Sequence, residues 1–163
     1  MGTALPGGRS PGARGEYVLR PATGDDVAAV TRLVDSAYGH YVERIGGRPG
    51  PMTADYEHVI SDSVVTVAVK HDSVVGLIVL AVTSEGFLVE NVAVHPSQQG
   101  RGLGRALLDF AEGEAKRARF DSIYLYTHEK MTENLALYRR LGYIEYDRRS
   151  EAGFSRVFLR KQL

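Results

Sequence analysis

VAVHPSQQGRGLGR, residues 92–105, is the stretch whose reading decides the fold. Val92-Ala93-Val94 completes a β-branched strand that His95-Pro96 ends, and a turn bearing Gly100, Gly102 and Gly104 then opens directly into a helix. A helix start carries unpaired N–H groups and a partial positive charge. Glycines let the backbone approach a ligand, so this turn is a candidate cradle for phosphate. Arg101 and Arg105 add positive charge beside it. The alternative is a glycine-rich connection with no ligand. Against it, three glycines at a helix start lose helix propensity of about 1 kcal/mol each without compensation.

Two phosphate motifs fail on these residues. A Walker A loop needs Gly-Lys-Ser/Thr, which is absent, and a dinucleotide fingerprint needs a third glycine where Arg105 stands. The pattern Gln/Arg-x-x-Gly-x-Gly/Ala fits, as Gln99-x-x-Gly102-x-Gly104.

Outward from this turn, the hydrophobic period alternates between strand and helix. Residues 17–20 form a short strand ending at Pro21. Thr23 or Asp25 caps a helix carrying Val27, Val30, Val34 and Tyr38, which the glycine-proline run 46–51 stops. A second short helix is expected over 53–60. Strands follow over 64–69, 74–82 and 87–94, then a helix over 101–118 with Leu103, Ala106, Leu107, Phe110, Ala111 and Ala118 on its apolar face. Residues 123–126 make a short buried strand. A helix bearing Leu135, Tyr138 and Leu141 stops at Gly142, and segments 143–146 and 154–159 close as a hairpin. The order β-αα-βββ-α-β-α-ββ predicts an α/β (α+β) fold with a central, mixed, mostly antiparallel sheet flanked by helices.

The chain has 163 residues, enough for one domain with its own core. Residues 1–15, rich in Gly, Pro and Arg, read as a disordered tail without a signal peptide's apolar region, and 16–163 as the domain. Lys plus Arg and Asp plus Glu number 20 each, so the net charge is zero. Neither nucleic acid nor an anionic membrane is therefore an expected partner. No apolar run approaches the roughly 20 residues of a membrane span. The absence of cysteine excludes disulfides, thiolate metal sites and a cysteine nucleophile, and fits a cytoplasmic location. The charge is unevenly spread: residues 21–99 hold four basic and ten acidic side chains, and residues 100–163 hold thirteen basic and nine acidic. This split is either chance plus solvated faces, or an anion site in the second half and a cation-friendly mouth in the first. The five histidines show no metal-ligand spacing, so no metal is expected.

The glycine turn and a second motif, Asn134-Leu135-Ala136-Leu137-Tyr138-Arg139-Arg140-Leu141-Gly142-Tyr143, together resemble the GNAT superfamily of N-acetyltransferases. Asn134 and Tyr138 stand four residues apart, one turn along the same helical face. The resemblance implies the acyl-CoA N-acyltransferase fold and acetyl-CoA as co-substrate. It assigns Gln99, Gly100, Arg101, Gly102, Gly104 and Arg105 to the pyrophosphate of coenzyme A. Val92, Ala93 and Val94 then pair with the pantetheine arm, the Val92 N–H holds the thioester oxyanion, and Asn134 contacts the coenzyme. Tyr138 implies a general acid for the departing thiolate. Glu90 implies a general base acting through water, because an amine of pKa about 10 is protonated at neutral pH. Strand alternation groups Glu90 with Val92 and Val94. His128 and Glu129 are second choices for the base.

The segment 38–56 resembles that of a subgroup of small GNAT proteins and is the expected acceptor side. Its candidates are Tyr38, Tyr41, Arg44, Met52 and Tyr56, with His128 from the later strand. The expected activity is direct acetyl transfer to a primary amine, a small-molecule acceptor being favoured over a protein or peptide amine. A non-catalytic acyl-CoA-binding module of the same fold and an ATP-using transferase are the rivals. Exposed strand edges leave a homodimer open. Arg139-Arg140 and Arg148-Arg149 read as solvated faces.

Overall fold

The computed structural model describes residues 17–163; the expected tail and Glu16 lie outside them. The strands are β1 (Val18–Pro21), β2 (Val64–Lys70), β3 (Ser73–Thr83), β4 (Gly86–Val94), β5 (Ser122–His128), β6 (Ile144–Glu151) and β7 (Phe154–Gln162). The helices are α1 (Val27–Tyr38), α2 (Tyr41–Ile45), α3 (Gly50–Thr53), α4 (Tyr56–Asp62), α5 (Leu103–Arg117) and α6 (Thr132–Arg140). The strands form one sheet in the order β1-β2-β3-β4-β5-β7-β6, in which only the β4–β5 pair is parallel. The expected mixed, mostly antiparallel sheet is therefore the observed one.

The first helical region departs from expectation. Four short helices stand where two were read, because Gly46 is left-handed (φ 75°) and ends α2, and Pro51 sits in the first turn of α3. The second expected helix runs instead from Tyr56, capped by Asp55, whose carboxylate accepts the Glu57 and His58 amides. Asp25 caps nothing. Asp26 accepts the backbone N–H of Thr23 at 2.8 Å in a short 3-10 turn ahead of α1.

The two larger cores lie on opposite faces of the sheet. On one, α1 places Val30, Leu33, Val34 and Ala37 against Val65, Val67, Leu77 and Val79. On the other, α5 presents Leu103, Leu107, Leu108, Ala111 and Ala115 to β3, β4 and β5. Leu108 and Ala115 replace Ala118, which is exposed, because α5 ends at Arg117. Gly76 of β3 lets α5 come this close. A Cβ there would stand 3.1 Å from both Ala68 Cβ and Leu103 Cδ2.

The sheet divides at β4. Between Val79 and Leu80 of β3 the register jumps from Asn91 to Val89, so Glu90 is the extra residue of a β-bulge. Glu90 therefore does not share a simple alternation with Val92 and Val94, as the sequence suggested. Pairing of β4 with β5 runs only from Phe87↔Ile123 to Val89↔Leu125. Beyond Leu125, β5 continues through His128 paired with β7 alone, and Asn91–Val94 stay with β3 alone. The two strands open into a cleft.

Buried Asp26 also accepts two N–H groups from Arg20, at 2.7 and 2.8 Å, which holds its carboxyl down at about 2. A folded-state value below the unfolded one stabilises the protein at neutral pH, and that contribution is lost as pH falls from about 4 toward 2. Asp26→Asn should lower stability at pH 7 by about 2 kcal/mol and flatten the loss of stability between pH 5 and pH 2.5. Urea unfolding of both proteins across that range reads the difference.

Candidate active site

Two cavities fill the cleft. One, of about 410 Å³, lies between the β4 end, the glycine turn and α6. It is lined by Val92, Ala93, Val94, Gln99, Gly100, Gly102, Gly104, Arg105 and Asn134, which are all the expected coenzyme-side residues except Arg101. Arg101 is exposed and outside the lining. The other cavity, of about 250 Å³, lies between the α2–α4 segment, the bulge and the free end of β5. Tyr38, Tyr56, Glu90 and His128 line it. The two cavities share four wall residues: Tyr38, Val92, Asn134 and Tyr138.

The glycine turn is built by conformation. Gly100 (φ 76°) and Gly102 (φ 85°) are both left-handed, and a Cβ on either would meet open space. Gly102 is the residue before α5, and Ala106 N–H to Gly102 C=O, at 3.0 Å, starts the helical ladder. The amides preceding Ala106 are the unpaired donors of the helix start.

The strand edge facing this turn is open in a defined way. His95 N–H bonds Val75 C=O of β3 at 2.9 Å. By the period of two, the polar groups of Val92 and Val94 turn away from β3, toward the gap left by β5. The Val94 carbonyl accepts the Gln99 side-chain amide at 3.2 Å, and the Val92 carbonyl accepts the Tyr38 hydroxyl at 2.9 Å.

Tyrosines at the cleft differ in their engagement. The Tyr38 hydroxyl hydrogen is divided between Val92 O and Asn91 Oδ1, the latter at 2.7 Å. Asn91 Nδ2 donates to the Tyr56 hydroxyl at 3.2 Å, which donates to Pro51 C=O at 2.6 Å. Tyr38 and Tyr56 are thus bound into a buried network centred on Asn91. The Tyr138 hydroxyl makes no hydrogen bond to the described residues and is left to the cavities. Burial pushes its pKa well above the usual phenol value, as it does for Tyr38 and Tyr56. Asn91 was missed in the sequence. Its signal is a polar residue inside an otherwise apolar strand.

Other expected residues fall elsewhere. Tyr41 lines the larger cavity, where its hydroxyl bonds Glu133 at 3.3 Å and burial with that charge raises it to about 12. Arg44 lines neither cavity; it clasps α6 through Glu133 at 2.6 Å and the turn before α6 through the Lys130 carbonyl at 3.3 Å. Arg44 in turn lowers Glu133 to about 2. Met52 packs against the α1 core and lines neither cavity. Glu129, a second choice for the base, faces Arg148 at 3.8 Å and lies outside the acceptor-side lining. Glu90 is exposed at the bulge, lines the smaller cavity and makes no ion pair with the described residues. Among the described residues no three His, Asp or Glu side chains gather into a metal-holding group, and no helix is long and apolar enough to cross a membrane.

Residues 61–145, just over half of the chain, match the acetyltransferase (GNAT) domain. The chain belongs to the GNAT acetyltransferase family. A curated relative, an IAA acetyltransferase from Azospirillum brasilense, is 33% identical over 81 residues, which is 48% of this chain and 53% of the relative. The match thus spans about half the length of that relative. Among solved structures, the PaiA N-acetyltransferase of Thermoplasma acidophilum in complex with coenzyme A is similar in fold. Its TM-score is 0.76 at 14% identity, over 90% of this chain and 99% of that one. A GNAT family acetyltransferase from Elizabethkingia anophelis with acetyl-CoA bound has a TM-score of 0.70 at 19% identity, over 92% and 100% of the two chains.

His128 accepts the Lys130 amide on Nδ1 at 3.0 Å, and burial depresses its pKa below the ordinary 6.5. It should be neutral at pH 7 with its proton on Nε2. An NMR titration of the ring is expected to show a midpoint below 6.5; a midpoint above it would mean the ring is not desolvated as described.

Proposed function

We propose that this GNAT chain is an acetyl-CoA-dependent N-acetyltransferase, with the described residues as its transferase domain and a small primary amine as acceptor. The observation that carries the reading is the meeting of the two cavities at Tyr38, Val92, Asn134 and Tyr138. A donor in one and an acceptor in the other would touch only there.

The residues fit an acyl-CoA. Left-handed Gly100 and Gly102 leave the amides ahead of α5 bare, which suits a diphosphate, with Arg105 adding charge. The outward-turned edge of Val92 and Val94 suits the amide-bearing pantetheine arm, which would take the place of the Gln99 and Tyr38 donors. Asn134, on the shared wall, steadies the arm.

Glu90, which has no guanidinium partner among the described residues, removes the amine's proton through a water. The amine attacks the thioester carbonyl, whose oxygen gathers charge against the Val92 N–H. The carbon–sulfur bond breaks, and Tyr138 gives its proton to the sulfur. Its raised pKa keeps that proton in place at neutral pH. The same burial raises the proton affinity of the leaving thiolate, so the two remain matched. No covalent enzyme intermediate is needed.

Release of free thiol from acetyl-CoA in the presence of a panel of amines tests the activity. Tyr138→Phe should lower kcat by about 100-fold or more while coenzyme A still raises the melting temperature. An unchanged kcat would remove Tyr138 from the chemistry. Thermal stabilisation by coenzyme A without thiol release from any amine would favour the non-catalytic module.

A further inference from the structure

The smaller cavity has an unusual charge content. Among its described wall residues only Glu90 and Arg156 carry a full charge, and burial disfavours charge on His128. The rest is largely apolar or aromatic, with Ile45, Pro51, Val59, Met131 and Phe154 among its walls. A polyamine needs several carboxylates to offset its charges, and this cavity offers one. The acidic balance of residues 21–99 is thus not concentrated here.

Arg156 is well placed to hold an anion. It stands on β7 opposite His128 and diagonal to Tyr126, both of which line the cavity. Its guanidinium lies 4.7 Å from the Tyr126 ring centroid and 6.0 Å from that of Phe154. Stacking of this kind fixes a guanidinium plane and leaves its edge for hydrogen bonds. One edge nitrogen, Nη1, bonds Glu151 at 3.0 Å. The Arg156 side chain is only 22% exposed, whereas Glu151 is 42% exposed. A guanidinium has five donors, so one carboxylate on the solvent side does not exhaust it.

The two charges stand on opposite walls of the cavity. β5 separates β4, which bears Glu90, from β7, which bears Arg156, and it has parted from β4 beyond Val89, so the two residues line the cavity from opposite sides of its opening. A carboxylate side chain from one wall and an arginine from the other reach into that gap. The cavity, at about 250 Å³, is below the roughly 300 to 1,000 Å³ of pockets for drug-sized ligands.

Resting on the transferase reading above, we infer that the acceptor is a small amino acid-like amine with an apolar body, its carboxylate held by Arg156 and its amine turned toward Glu90. Arg156 is then the specificity-determining residue of the acceptor side. Held this way, the amine faces the junction at Val92 and Tyr138, and the apolar body lies on the α2–α4 wall. A peptide N-terminus has an amide where the carboxylate would sit, and leaves the guanidinium unmatched.

Acetylation is measured with L-leucine, L-leucinamide, isopentylamine and spermidine, each rate corrected for the fraction of unprotonated amine. L-leucine should exceed leucinamide and isopentylamine in kcat/KM by about 10- to 100-fold, mostly through KM. Arg156→Met should erase most of that preference, and Arg156→Lys should restore part of it. Equal or better use of isopentylamine, leucinamide or spermidine by the unaltered protein overturns the inference and leaves the transferase reading standing. A preference for L-leucine that survives in Arg156→Met overturns the role of Arg156. Turnover of none of the four amines, with coenzyme A bound, overturns the inference, and the transferase reading falls only if the whole amine panel fails as well.

Discussion

Opposite Val79 and Leu80 of β3, β4 carries one residue too many, Glu90. A bulge cannot be absorbed by the ladder, so it shifts the phase of the strand and increases its local twist. Val89 belongs to the α5 side of the sheet, and two residues later Asn91 faces the α1 side through Tyr38. Pairing with β5 ends at the same level. Parallel strands that part company leave backbone donors and acceptors without a neighbour, and buried ones must find partners. Here Tyr38 and Gln99 supply them for the carbonyls of Val92 and Val94. Both partners are side-chain groups, which a ligand's own amides can replace at little net cost.

The other parts of the site are arranged around that opening. The glycine turn follows β4 directly, so the bare amides ahead of α5 fall at one end of the open edge. α6 follows β5 and brings Asn134 and Tyr138 onto the wall shared by both cavities. Arg44 and Glu133 tie α2 to α6, which joins the segment 38–56 to the helix bearing Tyr138. Burial around the junction keeps the phenols protonated, and the Tyr138 hydroxyl differs from that of Tyr38 in having no partner among the described residues. The same apolar walls make the two charges of the smaller cavity, Glu90 and Arg156, effective at short range.

Local conformation was legible in the sequence, and long-range register was not. Gly100 and Gly102 are needed for their left-handed backbone, which depends on those residues alone. Asn134 and Tyr138 share a wall because four residues make about one helical turn. The order of strands and of the larger helices followed from periodicity. The bulge at Glu90 depends on how β4 pairs with β3, so alternation within β4 alone misplaced it beside Val92 and Val94. Arg44 and Met52 were drawn into the acceptor site because the segment 38–56 was read as one connection. Gly46 and the prolines break it into short helices that aim Arg44 at Glu133 and Met52 at the α1 core. Arg156 gave no sign in the sequence, since its place rests on the pairing of β7 with β5.

Backbone hydrogen exchange at the open edge tests this account most directly. Without ligand, the amides of Val92 and Val94 should exchange faster than those of Asn91 and Ala93, which face β3. Coenzyme A should slow the first pair markedly and leave the second almost unchanged. Fast exchange at Val92 and Val94 that persists with coenzyme A bound would contradict the claim that the gap opened by the bulge receives the donor.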